Sequence, residues 1–252
     1  MLYILATPIG NLKDISLRAI ETLKTCDFII AENPNYSRRL LQYIEGLSTN
    51  AIPSSSEESL TSNSSSDPSQ NLGMTNLLKK EIVQFAEHNE QQTVKELARR
   101  LVKENGCLIS DAGTPGISDP GFRLVRECVK ENVLTVPIPG PNAAIVALSA
   151  SGLPTDRFLF LGFLQKTASK TVSALQSAAD AEATAIFYES PERIIKTLGY
   201  IDNAFPNSQV VAARELTKIH EEFIRGTPSQ VIETLKNKTS IKGEFTVLIS
   251  FK

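Results

Sequence analysis

The sequence predicts an α/β fold in two α/β domains, and three observations carry that prediction. Short β-rich runs alternate with stretches of helical periodicity along most of the chain, a pattern of strands in a mainly parallel sheet with helices on its faces. A second such series begins after "PIPGPN", so the halves divide near Pro139 into residues 1–138 and 139–252. At 252 residues the chain is long enough for one large domain or two ordinary ones, each with a real core.

In the first half, Leu2–Ala6 reads as a strand, followed by Leu17, Ile20 and Leu23 at helical spacing and a second strand at Phe28–Ala31. Ser37–Ile44 reads as a helix, and Val94, Leu97 and Leu101 mark another. Strand Cys107–Ser110, helix Phe122–Val129 and strand Leu134–Ile138 complete this half. Residues 48–75 are serine-rich and nearly free of apolar side chains, which predicts a mobile surface insertion that buries too little to offset its ordering entropy. The second half predicts helix Ala143–Ala150, strand Phe158–Phe163, helix Ala168–Ala179, strand Thr184–Tyr188, helix Pro191–Ile201, strand Gln209–Ala213, helix Pro228–Leu235 and strand Phe245–Phe251. Ser190-Pro191 and Thr227-Pro228 each place a capping hydroxyl before a proline at the first helical position, and Gln230 adds a capping box to the latter.

A net charge of −2 gives no global field that favours nucleic acid, though an acidic protein can carry a local basic patch. Cys26, Cys107 and Cys128 form no C-x-x-C pair and read as buried apolar residues, in keeping with a reducing cytoplasm. The opening Met-Leu-Tyr-Ile-Leu-Ala reads as a strand rather than a signal peptide, and no apolar run approaches the ~18 residues of a membrane span. No P-loop, dinucleotide turn or nucleophile elbow is present, and two histidines without paired cysteines make no case for a metal. His88, in "AEHNE", reads as a solvated or loop-bracing residue.

What remains is glycine–proline punctuation after three strands: "TPIGN", "SDAGTPGISDPG" and "PIPGPN". Loops at the carboxyl ends of parallel strands are where such sheets bind ligands. Glycine lets backbone approach a ligand closely, and proline lowers the entropy lost on binding. Asp119-Pro120 reads as the cap and first residue of the following helix, whereas Asp111 has no capping role and can accept hydrogen bonds from ribose hydroxyls or an amine.

The segments "LYILATPIGNLKDIS", "LISDAGTPGISDPGFRLV", "VPIPGPNAAIVALSASGLPTDRFLFLGFL", "IFYESPERI" and "VVAARELTKIHEEFIRGT" resemble the 16S rRNA cytidine 2′-O-methyltransferase branch of the tetrapyrrole methylase superfamily. The resemblance runs from Leu2 to about Phe251, interrupted by the serine-rich stretch. It implies a parallel N-terminal sheet, a mixed C-terminal sheet and a cofactor cleft between the domains. It also implies a cytoplasmic homodimer that uses S-adenosyl-L-methionine to methylate a ribose 2′-hydroxyl in the decoding centre of the small ribosomal subunit, without membrane or metal. Carried over residue by residue, cofactor-binding positions are Pro8, Asp111, Gly113, Thr114, Pro115, Ile117, Ser118, Gly140, Asn142, Ala143, Tyr188, Ala213, Gly243 and Glu244.

A ribose hydroxyl is a weak nucleophile, so a proton acceptor or a charge-stabilising cation is expected beside it. Glu215, Lys218 and Glu32 are the expected catalytic residues, with Glu215 as proton acceptor or ribose anchor; Asn11 and Arg214 are expected to bind substrate. The chain departs from the family where Glu-Asp-Thr-Arg is replaced by Glu32-Asn33-Pro34-Asn35, and many relatives extend beyond the last strand. Two other readings stay open: a tetrapyrrole C-methyltransferase, and a non-catalytic, cofactor-binding ribosome partner.

Overall fold

The computed structural model describes residues 1–49 and 77–251, which divide into two compact units. The expected insertion over residues 48–75 lies outside the described residues apart from the last residues of a helix. The first unit comprises residues 1–5, 16–111 and 121–138; the second comprises residues 6–15, 112–120 and 139–252. Two of the glycine–proline loops thus group with the second half of the chain rather than with the strands that precede them.

In the first unit, β1 (Leu2–Leu5), β2 (Phe28–Ala31), β3 (Ile82–Gln84), β4 (Gly106–Ile109) and β5 (Thr135–Ile138) form a parallel sheet in the order β3-β2-β4-β1-β5. Every residue of β2 and β4 is buried, as expected of interior strands covered on both faces. Phe28, Phe85, Leu97, Leu101, Leu108 and Leu124 meet in the core, each such side chain contributing about 1.5–3 kcal/mol on burial. Gly106 makes room for this packing, since a Cβ there would stand 2.6 Å from Leu101 and 2.9 Å from Phe28. The helices are α1 (Leu17–Thr25), α2 (Pro34–Thr49), α3 (Glu90–Leu101) and α4 (Phe122–Lys130).

In the second unit, β6 (Phe158–Phe163), β7 (Thr184–Glu189), β8 (Gln209–Arg214), β9 (Glu222–Gly226) and β10 (Phe245–Ser250) form a mixed sheet in the order β6-β7-β10-β8-β9. Only β6 and β7 run parallel. Strand alternation distributes its side chains. Ala185, Phe187, Val210, Ala212, Val247 and Ile249 pack with α6 (Ala168–Asp180), α7 (Ile194–Ala204) and α8 (Pro228–Lys236). Ile186, Val211, Ala213 and Leu248 turn the other way, toward α5 (Ala143–Ser151) and Ile9.

Several local expectations are corrected. Helix α2 starts at Pro34 rather than Ser37, because the Asn33 side chain accepts hydrogen bonds from the Asn35 and Tyr36 backbones and Pro34 suits a first helical position. Asp119-Pro120 does not open α4: Gly121 takes the cap position at φ 141°, and its N–H donates to Glu90 Oε1 at 3.3 Å. Helix α7 begins at Ile194, after a turn in which Ser190 O accepts the N–H groups of Arg193 and Ile194. The Thr227–Gln230 capping box forms as its spelling requires. Strands β3 and β9, short edges without a strong apolar pattern, were not expected. The three cysteines are buried, and His88 is exposed. No helix among the described residues is long and apolar enough to cross a membrane.

Candidate functional site

The three glycine–proline loops are joined by hydrogen bonds and close packing. Thr7 and Gly113 exchange backbone bonds of 2.8 and 3.1 Å, with Gly113 at φ +84°. Thr114 Oγ1 donates to Pro141 O at 3.2 Å. Gly140 packs against Ala6, where a Cβ would come within 2.9 Å of the alanine side chain. Positive φ at Gly116 and Ser118 turns the middle loop further, a backbone few residue types adopt.

These loops form one wall of a cavity of about 380 Å³, all of whose lining residues belong to the second unit. Ile9, Gly113, Thr114, Ile117, Ser118, Asn142 and Ala143 line one part; Phe163, Tyr188, Glu189, Ser190, Pro191, Leu216, Phe245 and Thr246 line the rest. Ala112, Asp119, Lys218 and Glu244 complete it. Phe160 and Phe163 meet the Tyr188 ring edge-on at centroid separations of 5.1 and 5.5 Å. Burial holds the Tyr188 phenol above its ordinary pKa, so it stays neutral at neutral pH. Apolar walls with a few polar groups suit a small organic ligand carrying a flat ring and charged substituents.

A polar cluster borders the cavity at the turn after β8. Lys218 Nζ donates to Glu215 Oε1 at 2.9 Å and to Glu244 Oε2 at 3.0 Å. Glu215 Oε1 also accepts the Glu244 N–H at 3.1 Å. Gly243, at φ +89°, is required here because a Cβ would come within 2.4 Å of the Glu215 side chain. Partial burial would raise the Glu215 carboxyl, but its bonds from Lys218 and Glu244 hold it below the ordinary carboxylate range. Burial likewise disfavours the Lys218 charge, yet its two carboxylate partners raise its pKa, so it is an ammonium at neutral pH. Glu215 is therefore a weak proton acceptor and a firm anchor for a cation.

Among the residues singled out from sequence, Gly113, Thr114, Ile117, Ser118, Asn142, Ala143, Tyr188, Lys218 and Glu244 line this cavity. Asn142 also caps α5, accepting the Ala144 and Ile145 N–H groups. Pro8, Pro115, Gly140, Ala213, Glu215 and Gly243 belong to the same unit but stand outside the lining. Ala213 is fully buried in the sheet. The Asn11 N–H donates to Thr217 Oγ1, and Arg214 is committed to Glu222 and Lys242 O.

Asp111 and Glu32 belong to the first unit, at the carboxyl ends of adjacent strands β4 and β2. Burial raises both pKa values, and at Glu32 the charges of Asp111 and Glu87 add to the effect. Asp111 receives a backbone bond from Asn33, but its Oδ1 is buried without a hydrogen-bond partner among the described residues. Sequence reasoning passed over Phe163, Glu189, Ser190 and Pro191. Their signal was position, immediately beside Tyr188 or at the end of its parallel neighbour β6. No cluster of three or more metal-ligating side chains occurs among the described residues.

A family model of tetrapyrrole (corrin/porphyrin) methylases matches residues 1–232. The chain is 39% identical over 249 residues to a ribosomal RNA small subunit methyltransferase I of Halalkalibacterium halodurans, covering 98% of this chain and 75% of that protein. It is 38% identical to the protein of the same name from Hydrogenobaculum sp., covering 99% and 95%. Among solved structures, a diphthine synthase superposes with a TM-score of 0.67 at 13% identity, covering 99% of this chain and 89% of that one. The methyltransferase CobJ superposes at 0.62 with 14% identity, covering 99% and 93%; at such identities these likenesses show the fold alone. With the family match spanning most of the chain and these relatives aligned along nearly all of it, the chain belongs to the tetrapyrrole methylase family and, within it, to the group of ribosomal RNA small subunit methyltransferase I proteins.

Proposed function

We propose that this methyltransferase takes a methyl group from S-adenosylmethionine and delivers it to the 2′-hydroxyl of a cytidine ribose in the 16S rRNA of the small subunit. The names of its relatives support an rRNA target. The observation that carries the donor reading is the cavity in which glycine–proline loops face an aromatic and apolar wall. Its residues fit the donor: apolar side chains for a flat base, and Asp119 and Glu244 for positively charged groups, while Glu189 is held by Ser190, Thr197 and Arg193. The orphaned Asp111 oxygen fits a hydroxyl or ammonium donor. Bound S-adenosylmethionine supplies an electrophilic methyl on a sulfonium. The Gly113–Ser118 loop, Asn142, Ala143 and Tyr188 are the proposed holding residues, with Pro8, Pro115, Gly140, Ala213 and Gly243 shaping the backbone behind them.

Lys218 is proposed to stabilise the negative charge that develops on the attacking hydroxyl, and Glu215 and Glu244 to hold its ammonium in place. Glu32, whose proton affinity is raised, is the proposed proton acceptor. Asn11 is the proposed ribose contact, and Arg214 braces the turn that carries Lys218. We infer a cytoplasmic homodimer; the buried free cysteines suit a reducing compartment, and light scattering reads the oligomeric state.

The test is transfer from radiolabelled S-adenosylmethionine to isolated small subunits and, in parallel, to uroporphyrinogen, with ribose-methylation mapping of the product. Labelling of one cytidine ribose is expected. Labelling of uroporphyrinogen alone would establish the tetrapyrrole reading, and donor binding without transfer to either would establish a non-catalytic partner.

A further inference from the structure

The first turns of α2 carry chemistry that the site above does not use. Asn35, Tyr36, Arg38, Arg39 and Gln42 are exposed, while Ser37, Leu40, Leu41 and Ile44 turn into the core. Tyr36, Arg39 and Tyr43 fall at i, i+3 and i+7, one stripe about 10 Å long at the helical rise. Tyr36 is 47% exposed and Tyr43 half-buried. No acidic residue occurs between Glu32 and Glu45, and Glu45, the helix's one carboxylate, accepts the Leu78 N–H at 3.1 Å. Arg38 and Arg39 make no ion pair or hydrogen bond with any described residue, whereas Arg100 and Arg193 are bound to carboxylates. On a chain of net charge −2, Arg39 between the two tyrosines and Arg38 beside it in sequence, neither bonded among the described residues, form a local basic and aromatic surface.

We propose that the exposed side of α2 is a platform for single-stranded RNA: Tyr36 and Tyr43 stack bases, Arg39 between them holds a phosphate, and Arg38, about 100° further round the helix, holds a second phosphate at the platform's edge. The proposal rests on the reading of RNA as substrate. The charge is complementary to a phosphate backbone, and tyrosine rings with guanidinium groups form the surface that unpaired bases stack on. Paired bases are stacked within a helix and gain nothing from the rings. The platform is anchored. Asn33 caps α2 through its side chain, and its backbone bonds Asp111 at the carboxyl end of β4. RNA laid along the helix therefore meets the end of the parallel sheet at which open α/β folds bind ligands.

The experiment measures anisotropy of a labelled single-stranded RNA dodecamer on the full chain, against a duplex of equal length and phosphatidylglycerol vesicles. Arg38→Ala/Arg39→Ala is expected to weaken single-strand binding about tenfold and to reduce the slope of log affinity on log salt by about 1.4, two phosphates at about 0.7 each. Tyr36→Ala is expected to weaken binding about tenfold at an unchanged slope, and Tyr36→Phe to restore it. Circular dichroism and S-adenosylmethionine calorimetry on each variant report that the fold and cavity are intact. Wild-type affinity in the double-arginine and Tyr36→Ala variants would overturn the platform while leaving the rRNA reading in place. Preference for duplex or vesicles would overturn it equally. A wild-type chain that neither binds nor methylates RNA would remove the reading beneath it.

Discussion

Asp111 Oδ1 is buried without a hydrogen-bond partner among the described residues, a state that costs about 1–3 kcal/mol. If that cost is kept for ligand binding, Asp111→Ala leaves the unliganded melting temperature unchanged or raised and lowers S-adenosylmethionine affinity by about tenfold or more, read by thermal denaturation and calorimetry. Glu32 and Glu215, both carboxylates of the proposed mechanism, are shifted in opposite directions. A base acts ionised, so activity limited by Glu32 rises with pH through a value above the ordinary glutamate pKa of about 4.3, and Glu32→Gln removes that acid limb from the pH–rate profile. The sign for stability is the reverse. A raised folded pKa disfavours the ionised form, so Glu32 destabilises the fold above its unfolded pKa and this is relieved as pH falls. Glu215→Gln removes the charge that anchors Lys218 and is expected to lower turnover about tenfold with little change in donor affinity, separated by single-turnover kinetics and calorimetry.

The helix caps separate stability from function. Thr227 caps α8 in a capping box and does not line the cavity, whereas Asn142 caps α5 while also lining it. Thr227→Ala and Asn142→Ala should each cost about 1 kcal/mol in denaturant unfolding, but only the latter should also weaken donor binding. The caps also show how far local spelling reaches. Thr227-Pro228-Ser229-Gln230 contains all its partners within four residues and forms as written. Asp119-Pro120 spells a cap equally well, yet Glu90, about thirty positions away in sequence, bonds Gly121 and moves the helix start. Glu32-Asn33-Pro34-Asn35 is, in the fold, a well-made helix start, with asparagine as cap and proline first.

For the whole molecule, the connectivity of the second unit sets a constraint. Residues 6–15 and 112–120 belong to it although the chain around them builds the first sheet. A fragment of residues 139–252 retains both faces of the mixed sheet except for Ile9, but lacks the loops that provide Ile9 and Ala112–Asp119 of the cavity wall. That fragment is expected to bind no S-adenosylmethionine at concentrations that saturate the full chain, as measured by calorimetry.

The α/β class, the buried strands, the Thr227 cap and the three glycine–proline loops are legible in the order of residues, because each is written in contiguous residues whose apolar period or turn chemistry has one local solution. The same residues carry the likeness to the tetrapyrrole methylases and to the ribosomal RNA small subunit methyltransferase I proteins. Which residues face the cavity and which support it follows only from the folded chain. Phe163 reaches it from the end of β6, next to Tyr188; Arg214 is drawn to Glu222 across a strand pair; Gly243 and Glu215 pack together from opposite ends of a long interval. Such contacts depend on sheet register and on the charge of a distant partner, and neither is present in the order of neighbouring residues.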